Sequence, residues 1–178
     1  MAISKILYMK DCGKGNPGKH LKQSIEYVTN PEKTGMGQFV GGLNCQPEFA
    51  YEQMRETKKK FGKTDKRQGY HLIISFMEGE TTPEQAFEII GRIVNEYLGN
   101  KYEAIYSVHD NTDHVHGHII FNSVSFLDGR KYRYEKGDWA KNIQPITNRI
   151  CKEYGLSTID IEEDKAKEAT EYSETSWL

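Results

Sequence analysis

Strand-forming runs and helix-period apolar stripes take turns along this chain. Residues 3–10, ISKILYMK, are rich in strand formers and predict a first strand. A loop with Gly13, Gly15, Pro17 and Gly18 follows. Leu21, Ile25 and Val28 then recur at helical spacing, predicting a helix over 19–29 that Asn30-Pro31 stops. Gln38 to Leu43 reads as a short strand. Pro47 opens a second helix through Lys60, with Phe49, Met54 and Phe61 facing inward. GYHLIISF, residues 69–76, is the clearest strand of the chain. Thr82-Pro83-Glu84-Gln85 supplies an N-cap, a proline at the first helical position and the Gln of a capping box. Ala86, Ile90, Ile93 and Tyr97 form that helix's buried stripe, and Gly99 ends it. Two strands, 102–109 and 114–125, are joined by the turn 110–113 as a hairpin. Leu127 to Arg130 is a turn, and Ile146, Ile150 and Tyr154 mark a last helix ending at Gly155. This order predicts an α+β fold: a central antiparallel sheet with helices packed on one face.

The chain has 178 residues, 37% hydrophobic and 28% charged, enough for the core of one domain. No apolar run is long enough to cross a bilayer, and MAISKILYMKDCGKG lacks the apolar centre of a signal peptide. Cys12, Cys45 and Cys151 are scattered and odd in number, so neither a disulfide scaffold nor a Cys-type zinc site is indicated. A cytoplasmic protein without membrane insertion is expected. The net charge of −2 hides a gradient. Residues 1–70 carry 13 Lys and Arg against 7 Asp and Glu, a net +6; residues 71–159 stand at −3 and residues 160–178 at −5. The basic charge concentrates in KKKFGKTDKR, from Lys58 to Arg67, which reads either as a solvated helix end or as a phosphate-contacting patch.

Four of the six histidines, His109, His114, His116 and His118, lie within ten residues. A strand period of two puts His114, His116 and His118 on one face with Ile120 and Asn122, and Val115, Ile119 and Phe121 on the other. His109 shares parity with Ser107, and His71 with Ser75, so three strands each offer a polar, histidine-bearing face and an apolar one. Imidazoles at i and i+2 of a strand stand roughly 6–7 Å apart on one side. A third His from the hairpin partner can then complete a three-imidazole cation site with open positions for substrate. Spacing alone does not say which three bind; His71 can add a ligand or contact a phosphate.

The segment HDNTDHVHGHIIFNSVSF, His109 to Phe126, resembles the histidine motif of plasmid and conjugative-transposon relaxases, mobilisation nucleases of the HUH superfamily close to its P class. Three further segments resemble the same family in the same order. SIEYVTNPEKT, Ser24 to Thr34, is similar to its nucleophile-tyrosine motif; GYHLIISFMEGETTPEQA to its second motif; and RICKEYGLSTI, Arg149 to Ile159, to the end of its catalytic core. The resemblance implies a catalytic domain over residues 1–160, and an acidic tail over 161–178 that begins a longer C-terminal region. It implies Tyr27 as nucleophile and His109, His116 and His118 as metal ligands, with His114 outside the set. Relatives often carry an acidic residue where this chain has Asn111; Asp113 is then the candidate proton acceptor.

The activity implied is strand-specific nicking of DNA at an origin of transfer in bacteria, through a 5′-phosphotyrosine. The metal implied is divalent, Mg²⁺ or Mn²⁺, with Zn²⁺, Ni²⁺ or Co²⁺ as alternatives in a three-His site. Single-stranded DNA is the expected partner, joined by accessory relaxosome proteins and a coupling protein. DNA contacts are expected from His71, Ser75 and Asn122 on the sheet, from Lys58, Lys59 and Lys60, and from Arg133. Tyr132 and Tyr134, among Arg130, Lys131 and Arg133, can stack bases. Three rival readings stand beside this one: a rolling-circle replication initiator, whose nucleophile usually follows the His motif, a non-catalytic DNA-binding protein with a structural metal, and a small metallohydrolase with a non-nucleic-acid substrate.

Overall fold

A computed structural model describes residues 2–9 and 17–162. The loop around Gly13 and Gly15, Cys12 and the acidic stretch after Glu162 lie outside these residues. Five strands form one antiparallel sheet: β1 (Ala2–Tyr8), β2 (Val40–Leu43), β3 (Gly69–Phe76), β4 (Ala104–His109) and β5 (His116–Asn122), in the order β1-β3-β5-β4-β2. Four helices accompany them: α1 (Lys19–Val28), α2 (Ala50–Lys60), α3 (Pro83–Leu98) and α4 (Gln144–Glu153). The α+β class and the antiparallel sheet agree with the sequence pattern.

The two faces of the sheet follow from strand parity. Leu72, Ile74 and Phe76 of β3, Val108 of β4, and Ile119 and Phe121 of β5 join Ile89, Ile90, Ile93 and Val94 of α3 and Ile150 of α4 in the larger core. The opposite face is not left to solvent. Ile105 and Ile120, from the histidine side, are fully buried with Leu21, Ile25 and Val28 of α1 and Ala50 and Met54 of α2. Helices on one face therefore describe α3 and α4 only; α1 and α2 cover the other, because two isoleucines there give them an apolar seat.

Gly117, between the two histidines of β5, sits on the α3 side. A Cβ at Gly117 would lie 2.3 Å from Ile90 Cδ1, so only glycine lets the helix approach this closely. α4 is fastened to the sheet edge by polar groups: Gln144 Oε1 accepts from Ser4 N at 3.0 Å, and Gln144 Nε2 donates to the Ala2 carbonyl at 3.0 Å. Trp139 Nε1, in a π-helical turn ahead of α4, donates to the Ser4 carbonyl at 2.9 Å.

The second predicted helix divides. Pro47–Phe49 forms a 3-10 turn and α2 begins only at Ala50. That change of winding leaves Phe49 exposed, against expectation, and turns Ala50, Met54 and Lys58 inward at i, i+4, i+8. The hairpin strands are shorter than predicted, and His114 lies exposed in the loop before β5 rather than on its face.

Candidate active site

The β4–β5 pairing sets His109 opposite His116 and Ser107 opposite His118; the β3–β5 pairing sets Ile73 opposite His118 and His71 opposite Ile120. His71, His109, His116 and His118 thus share the face that α1 covers. His109 and His118 rings are 4.2 Å apart between centroids, His71 and His118 5.0 Å, and His116 and His118 6.4 Å. His71, His109 and His118 are buried, and His116 is half-buried.

Each of the three expected ligands has one ring nitrogen hydrogen-bonded within the protein. His109 Nε2 reaches the Val28 carbonyl at 3.2 Å, His116 Nδ1 the Thr112 hydroxyl at 3.5 Å, and His118 Nδ1 the His71 Nε2 at 2.8 Å. A carbonyl only accepts, so His109 carries its proton on Nε2 and its lone pair on Nδ1. The second nitrogen of each ring, Nδ1 of His109 and Nε2 of His116 and His118, is outside any hydrogen bond among the described residues. An imidazole oriented through one nitrogen and open at the other is the usual state of a metal ligand.

Burial pushes the His71 imidazole down from 6.5 to about 4, with His109 and His20 adding like-charge repulsion. His118 is pushed far below its ordinary value by burial and by His71, His109 and His116. His109 is lowered too, chiefly by burial, although its bond to Val28 works the other way. At neutral pH His71, His109 and His118 are therefore uncharged and keep their lone pairs, the form a divalent cation requires. The donor set fits a metal, although among the described residues no three His, Cys, Asp or Glu side chains already converge on one point.

Tyr27 leaves the buried stripe of α1 and is 51% exposed. Its ring meets His109 edge-on at 5.5 Å and His118 at 6.3 Å between centroids. The Lys33 ammonium, from the loop after α1, lies 4.8 Å from the Tyr27 centroid. That loop is tied to the histidine hairpin by Asp110 N donating to the Lys33 carbonyl at 3.0 Å. Lys33 is the neighbour that sequence reasoning missed; its only signal was its place six residues after Tyr27. His20, on the same helix side as Tyr27, is near enough to His71 to bear on its charge.

Other expected site residues fare differently. Asp113 is exposed in the 110–115 loop and has no hydrogen bond or ion pair among the described residues; the structure does not bring it to Tyr27. Ser75 is half-buried opposite His116. His71 is not a surface phosphate contact but the partner of His118. Asn122 is fully buried, its Nδ2 bound to the Met54 carbonyl at 3.1 Å and to Glu103 at 3.5 Å, so it does not face solvent.

Lys59 and Lys60 are exposed as expected, but Lys58 is 2% exposed and leaves the solvent patch. Burial pushes its ammonium down from 10.5 to about 7, against the pull of Glu103. Tyr132 and Tyr134 pack on the core under α3, away from the histidines, and Tyr132 stacks edge-on against Phe121 at 4.9 Å. Both are half-buried there, and Arg133 between them is exposed. No helix among the described residues is long and apolar enough to cross a membrane.

Comparison with known proteins adds independent findings. The family described as "Relaxase: MobA/VirD2-like, nuclease domain" matches residues 27–156. "Protein rlx" of Staphylococcus aureus is 35% identical over 143 residues, covering 76% of this chain and 42% of the relative. "Group II intron-interrupted relaxase LtrB" of Lactococcus lactis subsp. cremoris is 28% identical over 179 residues, covering 79% of this chain and 32% of the relative. The chain thus spans less than half the length of these curated relatives. A solved structure described as "Molecular Basis of Vancomycin Resistance Transfer in Staphylococcus aureus" shares the fold, with a TM-score of 0.55 at 12% identity over 89% of this chain and 96% of that one. With Tyr27, the histidine cluster and strands β2 to β5 of the antiparallel sheet all inside the matched span, this chain belongs to the MobA/VirD2-like relaxase family, through its nuclease domain.

Proposed function

We propose that this chain nicks one strand of DNA at an origin of transfer, beginning conjugative transfer or mobilisation of the element that carries it. The observation that carries the reading is the placement of Tyr27: a half-exposed phenol set edge-on against His109 and His118 and beside the Lys33 ammonium. Tyr27 Oη attacks the scissile phosphorus, an Oη–P bond forms and the P–O3′ bond breaks. A 5′-phosphotyrosine and a free 3′-hydroxyl result, the leaving oxygen taking up a proton. The link keeps the energy of the phosphodiester, so reversal rejoins the strand. Lys33 supports the phenolate through its charge, and the sheet holds the histidines in place. His109, His116 and His118 would hold a divalent cation, Mg²⁺ or Mn²⁺, which when bound polarises a non-bridging phosphate oxygen. Asp113 remains the proposed proton acceptor only through movement of its loop.

The substrate is single-stranded, because a duplex would keep the scissile phosphate from reaching Tyr27 beside the buried histidines. Lys59, Lys60 and Arg133 are the exposed cations proposed to meet the strand backbone. The test uses labelled oligonucleotides tiled across the element's transfer region, with Mg²⁺ or Mn²⁺. A denaturant-stable protein–DNA adduct is expected, lost in Tyr27→Phe. No adduct on any strand with either metal would overturn the nicking reading. An adduct that survives Tyr27→Phe would mean another nucleophile.

A further inference from the structure

A second concave site lies at the other end of α1 from Tyr27, and nothing in the tyrosine–histidine chemistry uses it. The pocket has a volume of about 410 Å³. Arg55, Lys58 and Lys59 line its cationic side, Leu21 and Tyr51 its apolar wall, and no carboxylate lines it. Gln68 is held in its floor by donating from Nε2 to the Thr64 and Lys66 carbonyls at 3.0 and 2.9 Å.

Two independent features point to an anion. Lys58 is 2% exposed and lines the pocket, and its ammonium has no hydrogen bond or ion pair among the described residues. Glu103, the acid with most influence on it, has its Oε1 already engaged by Thr57 Oγ1 at 2.5 Å and Asn122 Nδ2 at 3.5 Å. Gly18 and Leu21, from the first turn of α1, also line the pocket. The Gly18 N-cap offers no side-chain acceptor, and the first turn carries no acidic residue, so among the described residues no side chain caps this positive end of the helix. Glu103 acts on Lys58 without an ion-pair contact and does not offset its burial, and an anion seated against the ammonium lowers that cost.

We infer that the Arg55–Lys58–Gly18 pocket is a phosphate-binding subsite that holds a backbone phosphate of the DNA strand whose nicking is proposed above. The inference rests on that reading for the identity of the strand, while the pocket's affinity for phosphate stands apart from it. Nine residues of helix separate Gly18 from Tyr27, roughly 13 Å at 1.5 Å per residue. At 3.4 Å per nucleotide of a stacked strand, that is about four nucleotides. α1 then works as a spacer, with a phosphate gripped at its N-terminus and the attacked phosphodiester at its C-terminal end.

The experiment measures binding of a fluorescent oligothymidylate by anisotropy across a salt series, for the wild-type chain, Lys58→Met, Arg55→Met and Lys152→Met. Lys152 is exposed on α4, across the sheet, and controls for net charge. Each phosphate contact to a single strand contributes about 0.7 to the salt slope, so losing one weakens binding about fivefold at 0.1 M salt. Lys58→Met and Arg55→Met are expected to show that loss and Lys152→Met none. Equal slopes in all four, or the same loss in Lys152→Met, would overturn the inference.

A second arm titrates inorganic phosphate and follows the backbone amides of Gly18 and Leu21 by NMR. Shifts with phosphate in the wild type, absent in Lys58→Met, support the subsite and show that it also takes free phosphate. Shifts with the oligonucleotide alone restrict it to the strand. Shifts with neither overturn it. A wild-type chain that binds no oligonucleotide but does bind phosphate strikes the nicking reading and leaves the anion site standing.

Discussion

Replacing Lys58 by Met is expected to stabilise the protein. The ammonium is displaced from 10.5 to about 7 by burial. At about 1.4 kcal/mol per unit, this corresponds to roughly 4–5 kcal/mol set against the folded state at neutral pH. That is an upper bound, because the side chain lines an open pocket and removing it takes a favourable charge from buried Glu103. Methionine keeps an unbranched apolar stem beside Ala50 and Met54 and removes the charge. Taking about half the bound, the expected gain is about 2 kcal/mol, or about 4–8 °C in Tm for a chain of this size. The sign of the pH dependence is fixed by the direction of the shift. Between about pH 7 and 10.5 the unfolded lysine holds a proton that the folded one has released, so wild-type stability from this group rises with pH across that window. The advantage of Lys58→Met is therefore full at pH 7 and shrinks toward pH 10. Thermal melts of both proteins at the two pH values are the assay. A Tm at pH 7 equal to or below wild type, or a gain of the same size at pH 10, would refute the argument. The same substitution is expected to weaken strand binding, so stability and affinity move in opposite directions.

Two further predictions concern the histidine face and its support. His71, His109 and His118 have folded-state values below the unfolded 6.5, so in chelator-treated protein their contribution to stability is complete above about pH 6.5. It is lost as pH falls from there toward 4, and urea midpoints between pH 7 and 4.5 should drop less in His71→Leu than in wild type; an equal drop would place the acid sensitivity elsewhere. Gly117→Ala drives a Cβ into Ile90 and should cost about 1–3 kcal/mol, read as a lowered urea midpoint. An unchanged midpoint would mean α3 moves away freely.

Much of the sheet was legible because strand parity is a local property. Period two alone puts each of His71, His109 and His118 on the polar side of its own strand, and the pairing brings those sides onto one face. That β3 lies beside β5, bringing His71 Nε2 to His118 Nδ1, is a long-range pairing that no local pattern encodes. The burial of Lys58 is hidden in the sequence for a different reason. In sequence it opens a run of three lysines, but the 3-10 turn at Pro47–Phe49 resets the helix and gives position 58 an inward azimuth. Asn122 carries a polar side chain into a site already lined by Glu103 and the Met54 carbonyl, a partnership fixed by tertiary placement. Tyr27 is one of eleven tyrosines and was singled out by the NPEKT context that follows it; only the fold sets its ring against His109.

The bond from His109 Nε2 to the Val28 carbonyl joins the last turn of α1 to the end of β4. A strand covalently held on Tyr27 would hang one residue from that bond, so tension on the DNA would load a side chain of the cluster itself. The mechanical path runs from Tyr27 through Val28 to His109 and into a strand paired on both sides, by β2 and β5. A pull along it would strain the centre of the sheet rather than peel an edge, and a strand held on Tyr27 as proposed would have a firm mooring.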